Sequence, residues 1–266
     1  MLDGLEVKPG TKARIAERDP DDKLGVDKDE GEKRLGGLIE RIDALQYRLY
    51  AEDRHSVLLV LQGLDASGKD GVVRRVFDGV NPTGVSVTSF KAPVGVELQH
   101  DYLWRIHAAL PRRGTVGVFN RSHYEDVVAV RMYELAPEKV WRPRYEHIRA
   151  FERMLVDEGT SVLKVFLNVS REEQRARFQE RLDDPEKRWK FRRDDLEVRD
   201  RFDDWIAAWE EALTETSTEW APWYVVPADR NWLKALAVGE LLVDALERLD
   251  PQLPEPEEGL EGLEIG

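Results

Sequence analysis

The run SVLLVLQ (56–62) passes straight into the glycine-rich GLDASGKDG (63–71). An uninterrupted apolar run this short, closed by glycine, reads as a strand buried on both faces, and a sheet buries both faces only when helices cover it. Four similar runs follow: VSVTSF (85–90), TVGVF (115–119), SVLKVFLNV (161–169) and WYVVPA (223–228). The segments between them carry helical patterns, over 69–79, 97–110, 123–135, 138–157, 171–182, 195–214 and 231–248. Strand and helix alternate, which predicts a doubly wound α/β domain around a parallel, five-stranded sheet. Ahead of the first strand, Leu35, Leu38, Ile39, Ile42, Leu45 and Leu49 recur at helical spacing. Residues 1–30 mix charge, Pro and Gly without periodicity and are expected to form an extended arm. The domain proper is expected over 31–250, followed by a mobile acidic tail, PQLPEPEEGLEGLEIG (251–266). No internal repeat is present.

A 266-residue chain has ample length for such a core. It holds no cysteine, so disulfides and thiolate metal sites are excluded. Its N-terminus lacks the apolar stretch of a signal peptide, and no run approaches the roughly 20 apolar residues of a membrane helix. A cytoplasmic protein without a membrane partner is expected. The formal charge of −13 is unevenly placed: from Asp203 onward there are 16 acidic and 3 basic residues, leaving 37 of each sign before it. Between Arg105 and Arg153, 10 basic residues face 6 acidic ones. Overall acidity argues against nucleic-acid binding and leaves room for a local basic channel.

Three segments carry chemistry. In the first, Gly63-x4-Gly68-Lys69 lies between a strand and a helix, where backbone amides and the helix N-terminus cradle phosphate. The candidate phosphate ligands are Gly63, Ala66, Ser67, Gly68, Lys69, Asp70 and Gly71. Nucleoside-triphosphate loops place a magnesium-binding hydroxyl after the lysine, and this chain has Asp70 there. A carboxylate beside phosphate requires a cation between them, so Asp65 is read as facing magnesium. Asp70 fits better as a first-turn carboxylate stabilised by the helix dipole.

In the second segment, TVGVFNRSHYEDV (115–127), the strand ends in Asn120, which offers only a carbonyl oxygen. Arg121 follows at the carboxyl edge of the strands, where α/β folds bind ligands, and is a bidentate phosphate ligand candidate. Glu125 could orient an acceptor phosphate through a metal or water, or could simply be a first-turn carboxylate like Asp126. His123 reads as a packing residue. The third segment, 171–205, loads Arg171, Arg175, Arg177, Arg181, Lys187, Arg188, Lys190, Arg192 and Arg193 onto two helices broken at Asp184-Pro185. A cationic helix–break–helix of this kind suits a closing lid that stabilises a transferring phosphoryl group. Taken alone it would equally be a solvated helix with interspersed ion pairs.

Together, and in this order, GLDASGKDG, FNRSHYEDV, DPEKRWKFRRDDLEVRDRFDDW and TSTEWAPWYVVPADRNWLKALAV resemble the polyphosphate kinase 2 family, from about Leu35 to about Leu249. The resemblance implies a P-loop kinase fold of the thymidylate-kinase type with a helical lid over about 171–202, whose phosphoryl donor is inorganic polyphosphate. It implies catalytic roles for Asp65, Lys69, Arg121, Glu125 and Arg181, and a Mg²⁺ site (Mn²⁺ as substitute) built from Asp65, Asn120 and Glu125. Lys187 and Lys190 match basic positions of the lid, and Asp195 and Asp203-Asp204 match acidic positions of the next helix. Asn120 with Glu125 is similar to the subclass that phosphorylates both nucleoside mono- and diphosphates. Expected substrates are therefore polyphosphate with AMP or ADP, and GMP or GDP, in a homo-oligomer, dimer or tetramer. Two other readings compete. An ATP-dependent P-loop kinase is disfavoured by the missing Ser/Thr after Lys69. A non-catalytic nucleotide switch is disfavoured by the absence of an N-K-x-D motif.

Overall fold

The five apolar runs become five parallel strands at the centre of three layers. The computed structural model describes residues 2–260, 262, 263 and 265. In chain order its elements are β1 (Glu6–Val7), α1 (Lys28–Glu52), β2 (Ser56–Gln62), α2 (Lys69–Val76), β3 (Val85–Ser89), α3 (Trp104–Ala108), β4 (Val116–Asn120), α4 (Val128–Met132), α5 (Glu138–Trp141), α6 (Arg144–Asp157), β5 (Thr160–Asn168), α7 (Arg171–Asp183), α8 (Asp194–Asp200), α9 (Phe202–Thr216), β6 (Trp223–Pro227) and α10 (Asn231–Leu249). The sheet order is β1-β6-β5-β2-β4-β3. Every residue of β2, β4 and β6 is buried, which is why those strands show no alternation. Helices α1, α2 and α10 cover one face, and α6 with α9 cover the other.

The expectation of a purely parallel five-stranded sheet is corrected. The sheet has six strands and is mixed, because β1 pairs antiparallel with β6, Glu6 opposite Tyr224 and Val7 opposite Trp223. Two residues are too few to make a pattern, and tertiary contacts hold them. Leu5, Val7, Ala13 and Ile15 are buried, and the Arg18 guanidinium donates to the carbonyls of Gly4 at 2.8 Å, Leu5 at 3.1 Å, Glu6 at 3.2 Å and Ala13 at 3.0 Å. Met1, at the start of this arm, and Glu261, Glu264 and Gly266 of the expected tail lie outside the described residues. Residues 252–260 are exposed and carry no helix or strand.

Four expected helices are broken, and one of them, 123–135, becomes a 3₁₀ turn over His123–Asp126 followed by the short α4. The segment 97–110 keeps only α3, and 138–157 splits into α5 and α6 at Pro143, whose ring cannot donate to a continuing ladder. The segment 195–214 splits at Arg201, whose side chain reaches out to donate to Met132 O at 2.8 Å. Among the described residues no helix is long and apolar enough to cross a membrane.

Candidate active site

The loop between β2 and α2 turns on two glycines whose backbone conformations other residues adopt only under strain. Gly63 has φ +146°, and a Cβ there would lie 2.7 Å from Leu167 O. Gly68 has φ +96°, and a Cβ there would lie 2.2 Å from Lys234 Nζ. Behind the loop, three consecutive carbonyls are pinned. Gln174 Nε2 donates to Asp65 O at 3.1 Å, and Arg177 Nη1 donates to Ala66 O at 2.8 Å and Ser67 O at 3.0 Å. Lys234 Nζ also donates to Ser67 O, at 2.9 Å. In a trans peptide the C=O and the next N–H point in opposite directions. Pinning the carbonyls of Asp65 and Ser67 therefore turns the amides of Ala66 and Gly68 to the opposite side. The amides of Asp65, Ala66 and Gly68 have no protein acceptor among the described residues, whereas Ser67 N–H closes a turn onto Leu64 O at 3.1 Å. Lys69, Asp70 and Gly71 open α2, where first-turn amides lack intrahelical partners.

Lys69 is buried and folds back onto this loop, donating to Gly63 O at 2.7 Å and Leu64 O at 3.2 Å. Burial lowers its pKa to about 8, the Arg121 charge adds to that, and Asp65, Glu125 and Asp70 oppose it. Lys234 is lowered to about 7, first by burial and then by Arg177.

Arg121 follows β4 with φ +64°, a left-handed conformation that a non-glycine residue adopts at a cost. Its amide donates to Leu61 O at 3.0 Å. That turn throws the guanidinium across the loop, where it bonds Asp65 Oδ1 and lies 3.6 Å from Glu125 Oε2. Glu125, chiefly, and Asp65 raise the Arg121 pKa above its ordinary value against the opposing effect of burial. Glu125 has a second support: with the Gln62 carboxamide assigned from its hydrogen-bond partners, its nitrogen donates to Glu125 Oε1 at 3.0 Å and its oxygen accepts from the Ser122 hydroxyl and amide at 3.0 Å each. Asn120 Nδ2 donates to Asp70 Oδ1.

From the lid, Arg181 rests on the Phe178 ring, 5.4 Å from its centroid. Asp195 at the start of α8 accepts from Arg192 N at 2.9 Å. Burial raises its pKa and the charge of Asp65 adds to this, while the Arg192 amide and Arg181 oppose it. Burial chiefly, then the charges of Asp65, Glu125 and Asp194, raise the Tyr133 pKa against the opposing charge of Arg121. Asp65, Lys69, Arg121 and Glu125 thus converge, with Asp70 and Asn120 as a pair at their edge and Arg181 and Asp195 facing them from the lid. Lys187 is not brought in: it pairs with Glu180 at 2.6 Å and Asp184 at 3.2 Å. Lys190 lies over the exposed Trp189 ring. Asp203 pairs with Arg171 at 2.8 Å and Asp204 with Arg201 at 3.5 Å, both on the surface. Sequence reasoning missed Gln62, Gln174 and Lys234, and it placed Arg177 among the lid cations rather than behind the loop. Only position in a helix pattern marked them, and nothing local told a loop-holding cation from a solvated one.

A profile of the family described as Polyphosphate kinase 2 (PPK2) matches residues 25–254. The chain is 53% identical over 261 residues, 97% of its length and 98% of the relative's, to an AMP/ADP-polyphosphate phosphotransferase of Meiothermus ruber. It is 47% identical over 229 residues, 82% of its length and 79% of the relative's, to an ADP-polyphosphate phosphotransferase of Rhodopseudomonas palustris. The crystal structure of polyphosphate kinase 2 from Arthrobacter aurescens TC1 superposes with a TM-score of 0.93 at 41% identity, covering 97% of this chain and 93% of that one. A glycine-rich strand–loop–helix with Asp70 after Lys69, and Asn120 and Arg121 at the end of β4, stand in a chain that the family profile matches over residues 25–254 and its relatives match along nearly its whole length: the chain belongs to the polyphosphate kinase 2 family of phosphotransferases.

Proposed function

We propose that the chain transfers a phosphoryl group from inorganic polyphosphate to AMP and ADP, and to GMP and GDP, in the cytoplasm as a homo-oligomer, dimer or tetramer. The observation that carries this reading is the convergence of Lys69, Arg121, Asp65 and Glu125 on a loop whose Ala66 and Gly68 amides turn away from the pinned carbonyls, at the carboxyl edge of the sheet. The names of the Meiothermus and Rhodopseudomonas relatives support the donor and the acceptors.

The donor set fits a hard divalent cation. Asp65 and Glu125 offer carboxylate oxygens and Asn120 a carboxamide oxygen, hard donors of the kind magnesium takes beside phosphate and water. Asp65, Asn120 and Glu125 would hold Mg²⁺, or Mn²⁺ in its place, and it would neutralise charge on the phosphoryl oxygens. Lys69 binds the transferring phosphate, and Arg121, released from Asp65, bonds an acceptor or donor phosphate through its fork. Arg181 brings positive charge down as the lid closes and water is excluded. No protein nucleophile is needed, because positioning and charge neutralisation carry phosphoryl transfer.

Purified protein with Mg²⁺, polyphosphate and AMP should form ADP and then ATP. Rapid turnover with ATP as donor, and no product from polyphosphate, would overturn the reading. The lowered Lys69 pKa gives a second check. The ammonium is the phosphate-binding form, and it is lost as pH rises through about 8. kcat/KM reports the free enzyme, so it should fall about tenfold per pH unit above that value. A profile flat to pH 10 would mean that Lys69 binds phosphate without this titration.

A monophosphate is shorter than a diphosphate, so its reactive oxygen stops further from a donor held at the loop. Glu125, braced by Gln62 and Arg121, is placed to bridge that gap through a metal or water. Glu125→Ala should therefore depress kcat/KM for AMP much more than for ADP, a ratio that reports differential transition-state stabilisation. Equal losses on both would assign Glu125 to the shared phosphate site.

A further inference from the structure

Asp70 stands where phosphate loops of this kind carry a hydroxyl, yet its Oδ1 is engaged by Asn120 Nδ2. Asn120 ends β4 on a fixed backbone: its carbonyl accepts from Phe90 N at 3.0 Å, and it lies opposite Leu61 of β2 and Ser89 of β3. A carboxamide has a donating end and an accepting end, and its partners decide which end faces a site. An ionised carboxylate only accepts, so Asp70 selects the nitrogen. The Asn120 Oδ1 atom is then turned away from Asp70, and it has no protein donor among the described residues. Asp70 acts on Lys69 together with Arg121, Asp65 and Glu125, so the Asp70–Asn120 pair borders the phosphate and carboxylate cluster.

We propose that Asp70 is a positioning residue that locks the Asn120 carboxamide, so that a neutral oxygen, not an N–H or a second carboxylate, faces the divalent cation and the acceptor phosphate. This rests on the functional reading above. A carboxylate at position 120 would press two anions together, which disfavours ionisation of one of them. A neutral donor avoids that, and it leaves more of the cation's charge for the phosphate oxygens. The pair therefore works by complementarity, one acceptor and one donor, and exchanging its members should preserve the bond.

Three variants test this: Asp70→Asn, Asn120→Asp and the exchanged double variant D70N/N120D. Urea unfolding of the free protein needs no substrate. Asn120→Asp should lower the folding constant about tenfold, and adding Asp70→Asn should recover most of that loss. Additive losses would overturn the proposal, because a carboxylate acting only on the α2 dipole is indifferent to residue 120. The second readout is Mn²⁺ binding with inorganic triphosphate, followed by electron paramagnetic resonance. Asp70→Asn should weaken it about tenfold with the melting temperature little changed, and the exchanged variant should bind at least as tightly as the unchanged chain. Binding within about twofold of the unchanged chain in Asp70→Asn would also overturn it. If the unchanged chain itself fails to bind Mn²⁺ with triphosphate, the functional reading fails, and the unfolding cycle alone decides the Asp70–Asn120 assignment.

Discussion

Replacing Lys69 by alanine should lower turnover by three orders of magnitude or more while leaving the chain folded. One preorganised hydrogen-bond donor to a developing oxyanion is worth about 10²–10³ in kcat, and Lys69 adds a full charge in a buried site, where water screens it little. The fold should tolerate the change, because its ammonium bonds only loop carbonyls of Gly63 and Leu64 and the Ser67 hydroxyl, and desolvation already disfavours its charge. A stability loss near 1 kcal/mol is the expected scale for such net hydrogen bonds. Steady-state kinetics beside urea unfolding check both halves. A folded variant within about tenfold of the unchanged enzyme, a barrier difference of ~1.4 kcal/mol, would remove Lys69 from the transition state.

The second large effect lies beneath the site. Lys164 and Glu152 are both fully buried, and Lys164 Nζ donates to Glu152 Oε2 at 2.6 Å, Thr216 O at 2.8 Å and Tyr124 Oη at 3.0 Å. Tyr124 in turn donates to Glu152 Oε1 at 2.8 Å, and His123 Nε2 lies 3.4 Å from that oxygen. Burial pushes the Glu152 carboxyl up, but Lys164 and His123 more than reverse it and leave it below its ordinary value. Its stabilising contribution is therefore complete above the ordinary glutamate range and lost as pH falls through the lowered native pKa. Glu152→Ala strands an ammonium in the core and should cost about 3–5 kcal/mol. The double variant E152L/K164M removes both charges and should cost clearly less than the single one. Denaturant unfolding of the three chains checks this, and additive losses would show that the two groups do not depend on each other. Because His123 and Tyr124 lie between Arg121 and Glu125, the single variant should also loosen that pair and raise KM for nucleotide.

How far the sequence could be read depended on the range of each interaction. The strands β2, β4, β5 and β6 were legible because double-sided burial writes itself as a continuous apolar run, whereas β3 lies at the sheet edge with most of its residues exposed. The loop was legible because left-handed turns and close backbone approach demand glycine at Gly63 and Gly68. The strand β1 was not, since two residues held by Arg18 and Trp223 leave no period. The breaks at Pro143 and Arg201 differ in the same way: the first has its cause in the residue itself, while the Arg201 break has its partner, Met132, in another helix.

The residue types of the site, cation-rich and acid-rich at the carboxyl edge of the sheet, were set locally and could be listed from the chain alone. Which of them meet was decided only on folding. The sequence cannot say that Arg177 turns behind the loop while Lys187 stays with Glu180 and Asp184, because cations of one basic segment are told apart only by what packs opposite them. Lys234 reaches Ser67 from far along the chain, and Asp70 in the first turn of α2 meets Asn120 at the end of β4. Local pattern encodes backbone conformation and burial, which neighbouring residues dictate; pairing between distant side chains arises from packing, and only the tertiary structure determines it.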